Sequence, residues 1–158
     1  MTKLIIPMFL TLLVMPAFSQ TTASQQIAEW ERRARGGDAV AQATLGSRYF
    51  YGDGVLEDYL EAVKWYRAAA EQGNPRAQFS LGRMYLYGRG VPINNVQAHM
   101  WCNLAASKLT GEGRGRAVGC RDGARTNLST EEINEAQRLA RQFKPKTWEV
   151  IRQELKIE

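Results

Sequence analysis

Cys102 and Cys120 are the only cysteines of this chain, and His99 is its only histidine. An even number of thiols suits a disulfide wherever the compartment is oxidising, with two buried free thiols as the other reading. The two thiols and one imidazole do not form a ligand cluster with the spacing a metal needs, so no metal site is expected. Thioredoxin-like exchange needs a C-x-x-C pair, which is absent. Any Ser-His-Asp scheme would have to pass through His99, and residues 20–158 hold neither a G-x-S-x-G elbow nor an S-x-x-K motif to supply a nucleophile. Beside Ala98 and Trp101, His99 reads as a packed or surface side chain and not as a base. The glycines at 111, 113, 115 and 119 match no phosphate-binding loop and follow no strand; they read as a mobile connection, and no cofactor is implied. Arg114, Arg116, Arg121 and Arg125 cluster there. They have the chemistry to grip phosphate or carboxylate groups, although a solvated basic loop is the plainer reading. Asn127-Leu128-Ser129 is a glycosylation sequon only in a host that glycosylates.

What must position these residues is a chain that repeats itself. The segment AQATLGSRYFYGDGV from Ala41 returns 36 residues later as AQFSLGRMYLYGRGV from Ala77. The register continues through Ala62/Ala98, Trp65/Trp101, Ala69/Ala105 and Ala70/Ala106. A fixed period of this size marks an architecture in which neighbouring units bury each other's apolar faces. Each unit reads as two helices. In the first helix Ala41, Leu45 and Tyr49 share one face, with Gly46 on the same side allowing close approach. Gly52-Asp53-Gly54 supplies the turn. The second helix carries Ala62, Trp65, Tyr66, Ala69 and Ala70 as a broad apolar stripe, and ends at Gly73 with Pro75 beyond. The fold class is therefore all-α, an α/α solenoid of antiparallel helix pairs with a helical C-terminal cap.

The ends differ from the middle. Met1–Ser19 has a basic residue at Lys3, an apolar stretch from Leu4 to Val14 and the small-residue signature Ala17-Phe18-Ser19, which reads as a cleaved secretory signal too short to span a membrane. Residues 20–38 then form an N-terminal capping helix with Ile27, Trp30 and Ala34; residues 39–74 and 75–110 are the two repeats; residues 111–158 are the C-terminal cap. Within that cap a short helix is expected from about Arg116 to Ala124. A second opens at the capping box Ser129-Thr130-Glu131-Glu132, and a third puts Trp148, Ile151 and Leu155 on one side, closing the exposed end of the solenoid as a lid. Without Lys3 the net charge falls from +5 to +4. Export with that charge makes nucleic acid a poor partner and allows contact with anionic envelope components. The expected location is the periplasm or the outside of the cell.

The stretch AQATLGSRYFYGDGVLEDYLEAVKWYRAAAEQGNPRAQ resembles the Sel-one-like repeat family, relatives of the tetratricopeptide repeat, and the resemblance runs from Ala39 to about Ala106. The tail from Arg121-Asp122 through EINEAQRLARQFKP resembles that of exported bacterial members. The resemblance implies a right-handed superhelix with a concave surface that binds another protein or an extended peptide, without catalysis of its own. In related solenoids the first helix of each pair lines the groove. Here its outward face offers Thr44, Ser47, Arg48 and Tyr51, and in the second copy Ser80, Arg83, Met84 and Tyr87, with Arg48 and Arg83 taken as related positions. The competing reading is a β-lactam-binding or hydrolysing enzyme of the cysteine-rich type. Those relatives carry a cysteine pair in each repeat, and the first repeat here has none.

Overall fold

A computed structural model describes residues 23–158 of the chain. The proposed signal segment lies outside the described residues. Eight α-helices and no strand occur among the described residues: α1 (Ala23–Arg35), α2 (Ala39–Tyr51), α3 (Tyr59–Glu71), α4 (Pro75–Tyr87), α5 (Asn95–Lys108), α6 (Gly111–Arg125), α7 (Thr130–Gln142) and α8 (Trp148–Glu154). The architecture is an α/α solenoid, with α2 packed on α3, α4 on α5, and each pair joined to the next through α3 and α4 and through α5 and α6.

The repeated sequence makes repeated caps. Asp38 and Asn74 stand in extended backbone before α2 and α4, and each accepts two amide hydrogen bonds from the first turn. Asp58 caps α3 in the same way, and Asn94 caps α5 through one amide hydrogen bond, from Gln97. Gly52 and Gly88 close α2 and α4 in the left-handed conformation, both at φ 67°, where a side chain would be strained. Asp38 is also bound to Arg33, and the backbone hydrogen bond from Ala41 leads in holding its carboxyl below the usual carboxylate range, against the opposing effect of burial. Asp38→Ala is therefore expected to cost about 1–2 kcal/mol of stability at neutral pH. The cap of a group with a lowered folded-state pKa contributes fully above its unfolded pKa and is lost as pH falls through the folded one. The gap between the melts of wild type and Asp38→Ala should accordingly narrow on acidification; an equal gap at pH ~7 and pH ~2 would assign the cost to packing.

Two buried glutamines join the units. Gln42 Nε2 donates to the Ala34 carbonyl (2.9 Å) and Gln78 Nε2 to the Ala70 carbonyl (3.2 Å), so each first helix satisfies a carbonyl near the end of the helix before it. Nothing in the apolar periodicity pointed to them. The paired glycines have a visible purpose. A Cβ on Gly46 would lie 2.8 Å from the Tyr66 ring, and one on Gly82 would lie 2.5 Å from Cys102 Sγ. Cys102 thus takes the seat that Tyr66 occupies in the first repeat.

The C-terminal third departs from expectation twice. The glycine-rich stretch is not a mobile connection: α6 begins at Gly111, and within it Ala117, Cys120 and Ala124 turn one buried face to the solenoid. Each interior glycine costs roughly 1 kcal/mol relative to alanine. Packing on α5 and the Cys102–Cys120 bond supply what local propensity withholds. The tail does not close the far end of the solenoid either. After the reciprocal capping box of Ser129 and Glu132, α7 lays Leu139, Ala140 and Phe143 against the core, with Phe143 edge-on to Trp101. The chain then returns toward the first repeat. Lys146 N–H donates to the Glu71 carbonyl (2.9 Å), and its ammonium bridges Glu71 (3.1 Å) and Glu154 (2.6 Å). Ile151 of α8 and Ile157 are buried with Ala34, Ala41, Leu45 and Trp65, while Trp148 Nε1 donates to the Arg35 carbonyl (3.1 Å). Residues 146–158 form a strap over the first repeat, where they cover Leu45 and Trp65.

Candidate binding surface

The residues expected to face a groove stand on α2 and α4, and hollows that begin there extend onto α6. Thr44, Ser47 and Tyr66 line one end of a trough of about 520 Å3 whose other wall includes Arg76, Ser80 and Leu109. Beside it, Tyr51, Arg83, Tyr87 and Arg89 surround a smaller hollow that shares Tyr66 and Ser80 with the first. Two further hollows extend the face onto α6, past Arg116 and the bare backbone of Gly113, Gly119 and Gly123. Glycine at those positions keeps the α6 wall free of side chains, so the face stays open.

Its chemistry is aromatic and cationic. Tyr51 and Tyr87 are exposed at 67% and 59%. The Arg83 guanidinium sits 5.7 Å from the Phe79 ring and 5.9 Å from the Tyr87 ring, and Arg89 lies 5.3 Å from Phe50 and 6.0 Å from Tyr59. None of the side chains lining these four hollows is acidic. Arg76, Arg83 and Arg89 enter no ion pair among the described residues. Tyr66 supplies a polar point shared by both hollows, with Ser47 and Ser80 lining the trough beside it. Burial raises its pKa, so the phenol stays neutral and able to donate. Its place on an apolar stripe concealed this role; the hydroxyl opposite a serine in each repeat is the signal in the sequence.

Of the eight groove candidates, Arg48 lines none of these hollows, and Met84 reaches one of them from the core. The 36-residue register pairs Arg48 with Met84, and Ser47 with Arg83, so Arg48 and Arg83 are not equivalent. Met84 is 1% exposed and packs in the core. Arg48 is drawn to its own turn, where Nη1 binds Asp53 at 3.2 Å, close to Gly54 and away from the trough. One helical step, roughly 100°, separates Arg48 from Ser47, which lines the trough.

Cys102 and Cys120 are bonded, with Cα atoms 5.9 Å apart, which staples α6 to α5. His99 is 3% exposed, and its surroundings are Asn103, Arg121, Arg125, Gln137 and Arg141, with no serine, cysteine or carboxylate lining the same cleft. The partners of a hydrolytic base are not assembled there. Among the described residues no three His, Cys, Asp or Glu side chains gather into a set able to hold a metal, and no helix is long and apolar enough to cross a membrane.

With that geometry in view, residues 39–74 and 75–108 each match the family model of the Sel1 repeat. The crystal structure of c5321, a protective antigen present in uropathogenic Escherichia coli strains displaying an SLR fold, superposes with a TM-score of 0.72 and 28% identity, covering 89% of this chain and 30% of that one. A Sel1 repeat protein from Oxalobacter formigenes superposes with a TM-score of 0.57 and 28% identity, covering 77% of this chain and 50% of the other. This chain thus spans less than a third of the first relative and half of the second. No curated protein matches it.

Proposed function

Since this chain is a Sel1-repeat protein with an SLR-type solenoid, we propose that it is an exported adaptor that holds an extended, acidic stretch of another protein along the α2–α4–α6 face. Sel1 repeats are helical scaffolds that typically mediate protein–protein interaction. The observation that carries the finer reading is the run of adjoining hollows lined by tyrosines, serines and unpaired arginines with no acidic side chain. Exposed tyrosines offer large contact area at low entropic cost, and arginine suits bidentate grip of carboxylates. The cysteine pair and the apolar N-terminal run support a location in the periplasm or outside the cell, where disulfides persist. No catalytic step is assigned to the chain.

The test uses two labelled extended peptides of equal length, one alternating Glu with aromatic residues and one alternating Lys with the same residues. The acidic peptide should bind saturably and with strong salt dependence, and the basic one should not. Arg76→Glu combined with Arg83→Glu should weaken the acidic peptide at least tenfold while leaving the melting temperature within a degree or two, because both side chains reach solvent. Equal binding of the two peptides, or full retention by the double variant, would remove the acidic-partner reading.

A further inference from the structure

Across α6 from the trough, three helices each contribute a pair of side chains one turn apart to a second cleft of about 280 Å3: His99 and Asn103 from α5, Arg121 and Arg125 from α6, and Gln137 and Arg141 from α7. We propose that this cleft is a binding site for a phosphate-class oxyanion, independent of the peptide groove.

Every side chain lining it can donate an N–H, and none is apolar or acidic. Three guanidinium groups from two helices converge there. Arg121 is paired with its neighbour Asp122 at 2.8 Å, whereas Arg125 and Arg141 have no carboxylate partner among the described residues. Gathering like charges is unfavourable unless an anion offsets it, and guanidinium forks match phosphate oxygens. His99 provides a further sign. It is 3% exposed and its Nδ1 is buried without a hydrogen-bond partner, a state that costs free energy in the empty site. Burial is the main cause of a lowered imidazole pKa, reinforced by Arg121 and Arg125 and opposed by Asp122, so the ring is held neutral. The walls are fixed by the disulfide, since Cys102 precedes Asn103 and Cys120 precedes Arg121.

His99 is the only imidazole of the chain, which makes it a single reporter. Inorganic phosphate is titrated into the full protein at constant ionic strength, with chloride as the balancing ion, and the His99 ring signals are followed by NMR. A saturable shift with phosphate and none with chloride is expected. Arg125→Gln combined with Arg141→Gln should weaken phosphate at least tenfold with an unchanged melt, both residues being exposed; Arg83→Glu on the groove should leave it untouched. A parallel flotation assay compares phosphatidylglycerol with phosphatidylcholine vesicles. Retention on the anionic vesicles, lost in the Arg125/Arg141 variant, assigns the site to a lipid phosphate; retention on neither, with the NMR shift intact, assigns it to a soluble one. Failure of phosphate to exceed chloride, or an unaltered affinity in the Arg125/Arg141 variant, would overturn the proposal.

Discussion

Trp65→Ala is expected to cost about 3–5 kcal/mol, a large part of the stability of a domain of this size. Trp65 is 3% exposed where Ala34 of α1, Ala41 and Leu45 of α2, and Ile151 of α8 meet. Two of those neighbours are alanines, which have no side chain with which to fill the cavity left behind. The loss should therefore come with release of the strap, detected as rapid proteolysis or amide exchange between Lys146 and Glu158 before the second repeat opens. Trp65→Phe should be much milder, because the indole Nε1 is buried without a partner and its removal relieves a polar group left unsatisfied. A melt of Trp65→Ala within a degree or two of wild type would place this tryptophan outside the core.

Loss of the Cys102–Cys120 bond should be the other large effect, about 3 kcal/mol for a loop of this length. It should also be local. α6 carries interior glycines at 113, 115, 119 and 123, and a Cβ on Gly115 or Gly119 would meet nothing within 4 Å, so packing does little on that side. Cys102→Ser with Cys120→Ser, or reduction, should therefore unravel α6 first, seen as early amide exchange in residues 111–125 while α2 and α3 stay protected. In protein taken from its host, thiol labelling of denatured, unreduced chain should find no free thiol. Two labelled cysteines per chain would refute the bond in the cell and weaken the case for export with it.

The sequence by itself determined what short-range chemistry decides. The 36-residue register, the Asp38/Asn74 and Asp58/Asn94 caps, the Gly52/Gly88 turns and the capping box at Ser129 each rest on contacts within a few residues along the chain. Local terms of about 1 kcal/mol each, repeated in phase, leave a readable pattern. Thr44, Ser47, Tyr51, Ser80, Arg83 and Tyr87 line hollows on α2 and α4, while Arg48 turns to Asp53 and Met84 is buried in the core beside its hollow.

Only the tertiary structure decided the rest. Glycine propensity argues against α6, and it forms because α5 and a covalent bond hold Ala117, Cys120 and Ala124 in place. The apolar side of α8 reads the same whichever end of the solenoid it covers. It turns to Trp65 because the second repeat has already buried its equivalent, Trp101, against Phe143 at the end of α7. The cleft around His99 joins residues from 99 to 141, each unremarkable as a surface side chain until three helices bring their polar pairs together. Such contacts arise from which faces remain uncovered after the local elements have formed, and that is a property of the assembled stack.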